Sequence, residues 1–498
     1  MREEALRSFD LVVIGGGING VGVARDAAGR GLRVLLAEQG DLAGATSSAS
    51  SKLIHGGLRY LERYEFRLVA EALAEREVLL RTAGHLVWST RFVMPHVPEL
   101  RPRWMIRLGL FLYDHLGRAT SLAGSSGVRL DASPYGDGLK PGLKHGFVYS
   151  DCRVDDARLV IAVARAAHAL GAKILTHSEL ISAHREGGAW RVRLRGRDGE
   201  RELSARALVN AAGPWVERIL NDRLAQSSIE QLRRVKGSHI VLPRLYRGEH
   251  AFILQNVDGR VVFMIPYEER FTLVGTTDMA YEGDPSQASA SGAEIEYLCA
   301  AVNRYLATPA SPKQVVWSYA GVRPLYDDGR TELSAITRDY MLRVDDVAGS
   351  APVLSVYGGK LTTHRRLAER ALERLASYVP ALKENWTAAA VLPGGDFGEY
   401  AREEFEARFA ARYRALPEAV VKGTFRRHGA LAAEVLGDSR GAADLGEDFG
   451  AGLCEREVRY LVEHEWAASA EDVLWRRTKC GLHLDERARA RVADFLGA

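Results

Sequence analysis

The sequence predicts an α/β fold class. It combines a discontinuous Rossmann-like dinucleotide-binding domain, an antiparallel β-rich domain on the substrate side, and a helical C-terminal domain. Three observations carry this expectation. The stretch VVIGGGINGVG (Val12–Gly22) lies between an apolar run and a second strand-like run, RVLLAE, that ends in Glu38. Segments such as HIVLP, RVVFMIPY and FTLVGTT make the interval from about Leu232 to Tyr319 rich in β signals. Beyond Pro393-Gly394-Gly395 the composition changes to charged helical segments that continue to Ala498.

The elements follow in order. Leu11–Ile14 is apolar and rich in β-branched residues, as expected of a strand buried on both faces, and Gly15 ends it. Gly15, Gly17 and Gly20 satisfy G-x-G-x-x-G, whose glycines serve a tight turn, a bare backbone beside a pyrophosphate, and close helix-to-strand packing. Ala24, Ala27 and Ala28 continue a small-residue helix that Gly31 closes. Glu38 then falls about 20 residues past the glycines, where a carboxylate accepts bonds from ribose hydroxyls. After the helix EFRLVAEALAEREVLLR, residues 85–149 turn irregular, with the proline cluster MPHVPELRPRW. Asp155 caps the next helix, in VDDARLVIAVARAAHALGAKIL, and Gly171 closes it. The alternating strands of AWRVRLRGRDGERELSARALVNAAG return the chain to the nucleotide-binding domain. That domain closes at APVLSVYGGKLTTHRRLAERALERL. Its expected segments are 8–84, 150–231 and 330–384; the substrate domain takes 85–149 and 232–329, and the helical domain 393–498. No internal repeat stands out.

Composition sets the outer limits. A chain of 498 residues with 47% hydrophobic content reads as an ordinary globular protein of more than one core. Its formal net charge of +3 is too near neutral to argue for a nucleic-acid partner. Cys152, Cys299, Cys454 and Cys480 lie far apart, which fits neither a thiolate metal site nor a disulfide scaffold and points to a reducing cytosol. The N-terminus lacks the apolar core of a signal peptide, and no apolar run is long enough to cross a bilayer.

The glycine fingerprint alone does not separate NAD from FAD. Directly after Glu38 comes GDLAGATSSASSKLIHGGLRYLE, a small, hydroxyl-rich run from Thr46 to Ser51 that leads into basic and histidine residues. Such a run suits contacts threaded along a long, extended cofactor. With it, GGGINGVG, ATSSASSKLIHGGLRYLE, YSDCRVDDARLV, LVNAAGPWV, KGSHIV, VGTTD, GVRPL, AITRDY and GGKLTTHRRLAE resemble, in this order, the motif series of the aerobic, FAD-dependent glycerol-3-phosphate dehydrogenases. The match runs from residue 10 to about 370, and WRRTKCGL at Trp475 extends it toward the C-terminus.

The resemblance implies a flavoprotein of the D-amino-acid-oxidase-like class that oxidises sn-glycerol 3-phosphate to dihydroxyacetone phosphate and passes electrons to membrane quinone. It implies a cytoplasmic protein held peripherally at the inner face of the cell membrane, with a homodimer left open. An oxidase on the same scaffold, returning electrons to oxygen as hydrogen peroxide, is the alternative; by resemblance such oxidases carry an additional internal segment. A nucleotide-binding regulator without chemistry is the third reading, and the retained arginines and lysine argue against it.

Residues expected at FAD are Gly15, Gly17, Asn19, Gly20, Glu38, Thr46, Ser47, Ser48, Ser51, Lys52, His55, Ala212, Gly213, Trp215, Gly359, Leu361 and Thr362. The strand, glycine pair and helix of VLSVYGGKLTTHRRLAE place amides near Lys360, Leu361 and Thr362 at a helix N-terminus, an anion site suited to charge arriving on a flavin. A phosphate of nearly two negative charges asks for forked guanidiniums, and the candidates inside the matched motifs are Arg59, Arg323, Arg338 and Lys360. Oxidation also needs a base for the C2 hydroxyl. His55 and His239 have the side chain for it, with His239 favoured and Lys360 or Arg323 stabilising the developing alkoxide. Tyr60, Thr276 and Thr277 are candidates to orient substrate hydroxyls, and no metal is required. Arg101–Arg118 sets Arg101, Arg103, Arg107 and Arg118 beside Trp104, Met105, Ile106, Leu110, Phe111 and Leu112, a pattern for anchoring at an anionic bilayer surface or for a buried helix capped by arginines.

Overall fold

The computed structural model describes residues 8–97, 99, 101–117, 120–226, 232–327, 339–346 and 349–497. Its first sheet has the strand order Met341–Asp345, Val353–Tyr357, Gly199–Asn210, Ser8–Ile14, Val34–Ala37 and Lys173–Leu175. The four strands from Val353–Tyr357 to Val34–Ala37 pair in parallel, with Ile14 opposite both Ala37 and Asn210, and Asn210 opposite Ser355. The C-terminal ends of these strands therefore finish level, at the crevice where open α/β sheets take ligands. The strands Glu179–Glu186 and Ala189–Gly196 pair antiparallel and attach to Gly199–Asn210. The hairpin of Ala189–Gly196 and Gly199–Asn210 is the one the alternating pattern anticipated, and Glu179–Glu186 adds a strand beyond it.

The helix Ile18–Gly29 packs against the helices Asp156–Ala169 and His364–Leu375. Its alanines make this approach possible: Ala24 and Ala27 are fully buried, and a Cβ on Gly22 would meet His364 Cδ2 at 3.3 Å. Asp155 caps the second helix by accepting from the Arg158 amide at 3.2 Å. Gly31, at φ +93°, turns the chain after the first helix in the left-handed region that glycine tolerates.

The second sheet runs Met279–Ala280, Leu232–Pro243, Phe271–Gly275, Val261–Tyr267, Ala251–Gln255, Val87–Pro95, His145–Val154 and Leu53–Ile54. Trp317–Tyr326 lies along the other edge of Leu232–Pro243, with His239 opposite Tyr319 on one side and Gly275 on the other. Two expected boundaries shift. His145–Val154 belongs to this sheet throughout, so re-entry into the first domain falls at the helix from Asp156 and not at 150. Leu53–Ile54 also pairs here, so the 8–84 segment crosses into the second sheet before it ends. The stretch expected to be irregular, 85–149, contains the strand Val87–Pro95 and the helix Arg103–Leu116.

The C-terminal region contains the helices Arg402–Arg412, Glu418–His428, Glu455–Glu465 and Glu486–Leu496 and a short two-stranded ribbon. It is keyed to the first domain by a buried network. Arg158 pairs with Glu465, His428 Nε2 lies 2.9 Å from Glu457 Oε1, and Arg427 also holds Glu457.

Candidate active site

The glycine turn has the geometry its spacing calls for. Gly15 sits at φ +110°, and a Cβ there would lie 2.5 Å from the Ala211 carbonyl oxygen; one on Gly20 would lie 1.9 Å from the carbonyl oxygen of Gly15. Neither position admits a side chain, so the backbone itself forms a cradle. Glu38, at the end of the second strand, accepts from the amides of Gly16 (2.6 Å) and Gly40 (2.8 Å). Burial raises its pKa against the lowering effect of those amides. Ser47 Oγ accepts from the Ile18 amide at 3.0 Å, at the first turn of the helix. Asn19 Nδ2 donates to the Gly358 carbonyl at 3.1 Å, while its Oδ1 is buried without a partner among the described residues. A cradle free of side chains, a carboxylate at the second strand and an unsatisfied amide oxygen fit an extended dinucleotide.

The closing turn reaches the same place. Gly358 (φ +80°) and Gly359 (φ +101°) lead into the turn Lys360–Thr363, and the helix starts only at His364, so the amides of Lys360, Leu361 and Thr362, expected at its N-terminus, lie in the turn before it. A Cβ on Gly359 would lie 2.5 Å from Asn19 Nδ2, so the two glycine turns abut. Ala212, Gly213 (φ +56°) and Trp215 form a short turn beyond Asn210, beside Gly15. Thr362 accepts from the His55 amide at 3.3 Å, and the carbonyl of Leu361 lies 2.7 Å from His364 Nδ1. Lys360 Nζ sits 4.0 Å from the centre of the Tyr60 ring. Arg59 precedes Tyr60 on the short helix Leu58–Arg63 and is half-buried. His55 is pushed down to about 4 by burial and then by Lys360.

From His55 the site continues onto the second sheet. The His55 ring lies edge-on to Phe263, Phe263 is opposite Gly275, and a Cβ on Gly275 would strike the ring of His239. His239 is buried, with Nε2 2.9 Å from Ser51 Oγ and its ring stacked on Tyr319 at 4.9 Å. Nδ1 has no partner among the described residues. Burial, then Arg323 and Lys52, hold its pKa well below the ordinary histidine value, so the ring is neutral. Arg323 pairs through Nη1 with Asp278 and donates through Nη2 to Thr276 Oγ1 at 3.0 Å. Its guanidinium lies directly over Gly237, where a Cβ would be 2.1 Å from Nη2.

Some expected residues are engaged elsewhere. Thr277 Oγ1 accepts from the Ser238 amide and donates to Glu294, and the residue is fully enclosed, so its hydroxyl is committed to the scaffold and not to a substrate. Lys52 Nζ is buried against both oxygens of Asp156, at 2.8 and 2.9 Å, and the Ser48 carbonyl. Its side chain therefore braces the loop, and its amide and carbonyl are bonded to Ser50 Oγ and the Val154 amide, so Lys52 is committed to the scaffold. Thr46 Oγ1 donates to the Val322 carbonyl, and Ser48 Oγ to that of Ala45. Arg338 lies outside the described residues. Sequence reasoning missed Asp278, although it closes the motif VGTTD, and also Glu294, Asp156 and Tyr319. Glu294 closes a capping box with Ser291 that the sequence SGAE displays, but its partners Ser238 and Thr277, like those of Asp156 and Tyr319, are distant in the chain.

A cofactor cradle joined to a buried neutral histidine and a cluster of cations defines a dinucleotide-dependent oxidoreductase. Comparison with known proteins narrows this. Residues 10–365 match the family described as FAD dependent oxidoreductase, and 385–497 match the C-terminal domain of alpha-glycerophosphate oxidase. The chain is 52% identical to the aerobic glycerol-3-phosphate dehydrogenase of Escherichia coli (strain K12), covering 99% of this chain and 98% of the relative. It is 50% identical to the D-erythritol 1-phosphate dehydrogenase of Brucella abortus (strain 2308), covering 98% and 97%. Among solved structures, the glycerol-3-phosphate dehydrogenase from Bacillus halodurans complexed with FAD superposes with a TM-score of 0.74 at 26% identity, covering 99% of this chain and 95% of that one. The chain belongs to the FAD-dependent glycerol-3-phosphate dehydrogenases, and its cofactor is FAD.

Proposed function

We propose that the protein oxidises sn-glycerol 3-phosphate to dihydroxyacetone phosphate on FAD and passes the electrons to membrane quinone. The observation that carries the reading is the pair of cation clusters, Lys360 over Tyr60 after the closing glycine turn and Arg323 acting on the buried His239, linked through His55, Phe263 and Gly275. Bound FAD supplies a two-electron acceptor for hydride. The chain's own residues do the rest. Neutral His239, with no carboxylate on either ring nitrogen among the described residues, takes the proton of the C2 hydroxyl as hydride leaves. Arg323 and Lys360 offset negative charge on that oxygen and, with Arg59, attract the phosphate. Thr276, which accepts from Arg323 and donates to the Thr277 carbonyl, and Tyr60 are the candidates that remain to direct the substrate. Anaerobic bleaching of the flavin by a panel of polyol phosphates tests the reading: glycerol 3-phosphate should outpace erythritol phosphate and free glycerol. Peroxide formed in step with turnover would favour the oxidase alternative.

The acceptor side rests on the helix Arg103–Leu116. It buries Ile106, Leu110 and Tyr113 and exposes Trp104, Met105, Leu108 and Phe111 along the opposite face, with Arg103 and Arg107 beside that stripe. Of the residues read from sequence as the anchoring surface, Ile106 and Leu110 face the core and Leu112 is half-buried, while Leu108 joins the exposed set. An exposed aromatic and aliphatic stripe flanked by arginines suits docking on an anionic leaflet, which would place the protein at the inner face of the cell membrane. Among the described residues no helix is long and apolar enough to cross one. A homodimer is left open, to be read by sedimentation.

A further inference from the structure

The motif WRRTKC lies in the C-terminal domain, far in sequence from the cofactor loop, yet its side chains converge on that loop. Arg477 is fully buried, and its Nη1 and Nη2 donate to the two carboxylate oxygens of Asp41 at 2.6 and 2.7 Å. Arg476 Nε donates to the same carboxylate at 2.5 Å. Asp41 stands three residues past Glu38, and two residues later the Ala43 amide donates to the Gly16 carbonyl at 3.1 Å, so the segment that carries this carboxylate is bonded to the glycine turn. At the loop's other end, Lys479 Nζ lies 3.6 Å from Asp155, next to the Asp156 that holds Lys52 and Ser50. Trp475 stacks on Trp317 at 4.7 Å, Trp317 contacts Tyr319, and Tyr319 backs His239 and donates to the Ser50 carbonyl at 2.8 Å.

The loop needs outside support. From Gly40 to Ser51, GDLAGATSSASS, Leu42 is the only large apolar side chain, so the segment cannot hold itself by packing. A planar guanidinium on a carboxylate defines direction as well as distance, whereas a buried ion pair adds little net stability over an apolar pair of the same volume. We propose that the segment Trp475–Lys479 is the positioning element of the cofactor loop: Arg477, helped by Arg476 and Lys479, holds residues 41–52 in the conformation that retains FAD. This inference rests on the reading that FAD lies along that loop.

The test uses the full-length holoenzyme and compares FAD release, followed by the rise in free-flavin fluorescence after dilution, with thermal stability. Arg477→Lys keeps the charge and loses the fork. It should release FAD about tenfold faster or more, the loss of one charge-assisted hydrogen bond. The double variant Asp41→Leu/Arg477→Met removes the ion pair together with the bonds from Arg477 to the Glu465 carbonyl; it should have a higher Tm than Arg477→Met alone yet still release FAD fast. Wild-type release rates in Arg477→Lys and the double variant would overturn the proposal. So would release that merely follows Tm from variant to variant. Wild-type protein purified without any flavin would overturn the cofactor reading itself, and the proposal with it.

Discussion

Arg323 offers the sharpest test of how the site holds its substrate. Its side chain is 27% exposed, with the guanidinium anchored by Asp278 on one nitrogen and Thr276 on the other and seated over Gly237. Two substitutions disturb it differently. Arg323→Lys keeps a positive charge but offers one ammonium where the fork had several donors. Gly237→Ala leaves the arginine in place, yet its Cβ would lie 2.1 Å from Nη2 and 2.6 Å from Thr276 Oγ1, so the guanidinium must move away. Losing one charge-assisted contact to phosphate costs about 1.5 to 3 kcal/mol, roughly tenfold to more than a hundredfold in kcat/KM. Both variants should fall in this range with glycerol 3-phosphate in a soluble-dye assay. Free glycerol is the control, since it carries the alcohol without the phosphate, and its already poor efficiency should change far less. A proportional fall for both substrates would refute the phosphate role and leave Arg323 as a support for Thr276 and Asp278.

Three further outcomes are expected. Gly20→Val should abolish FAD retention, because a Cβ there overlaps the Gly15 carbonyl, and Gly17→Val should do the same by crowding Ser47 at 3.1 Å; full flavin occupancy by absorbance in both would contradict the cradle. Polar replacements of Trp104, Leu108 and Phe111 should weaken liposome binding and quinone-coupled turnover while dye reduction survives, and equal loss of both activities would point to misfolding. Stability should fall on acidification below about pH 6.5. Burial holds His55, His250 and His364 down to about 4 and His85 to about 3. The unfolded chain therefore binds more protons than the folded one between those values and the ordinary 6.5. Their contribution is complete above pH 6.5 and is lost as pH falls toward 4, at roughly 1.4 kcal/mol per pH unit for each histidine. Asp151, raised to about 6 by burial, offsets about one of them. A Tm unchanged from pH 7 to 5 would contradict this.

What the sequence determined by itself was everything local. Gly15, Gly17, Gly20 and Glu38 lie within one strand-turn-helix-strand unit, where spacing alone dictates that backbone meets a pyrophosphate and a carboxylate meets the second strand. The cap at Asp155 and the paired turn at Gly358 and Gly359 were legible for the same reason. The tertiary structure decided which polar side chains stay available for chemistry. Thr276 and Thr277 are neighbours of one residue type, yet the register of Leu232–Pro243 against its partners turns one toward Arg323 and the other into a closed bond with Glu294. The same pairing sets His239 between Gly275 and Tyr319. Lys52 looked like a cofactor ligand until Asp156, far along the chain, claimed its ammonium. The rotation of Arg103–Leu116 was undecided because apolar residues surround that helix on most sides, and only packing selected Ile106 and Leu110 for the core. Such choices depend on partners tens to hundreds of residues away, brought close only when the sheets close; the Arg477–Asp41 contact, spanning 436 residues, is their extreme.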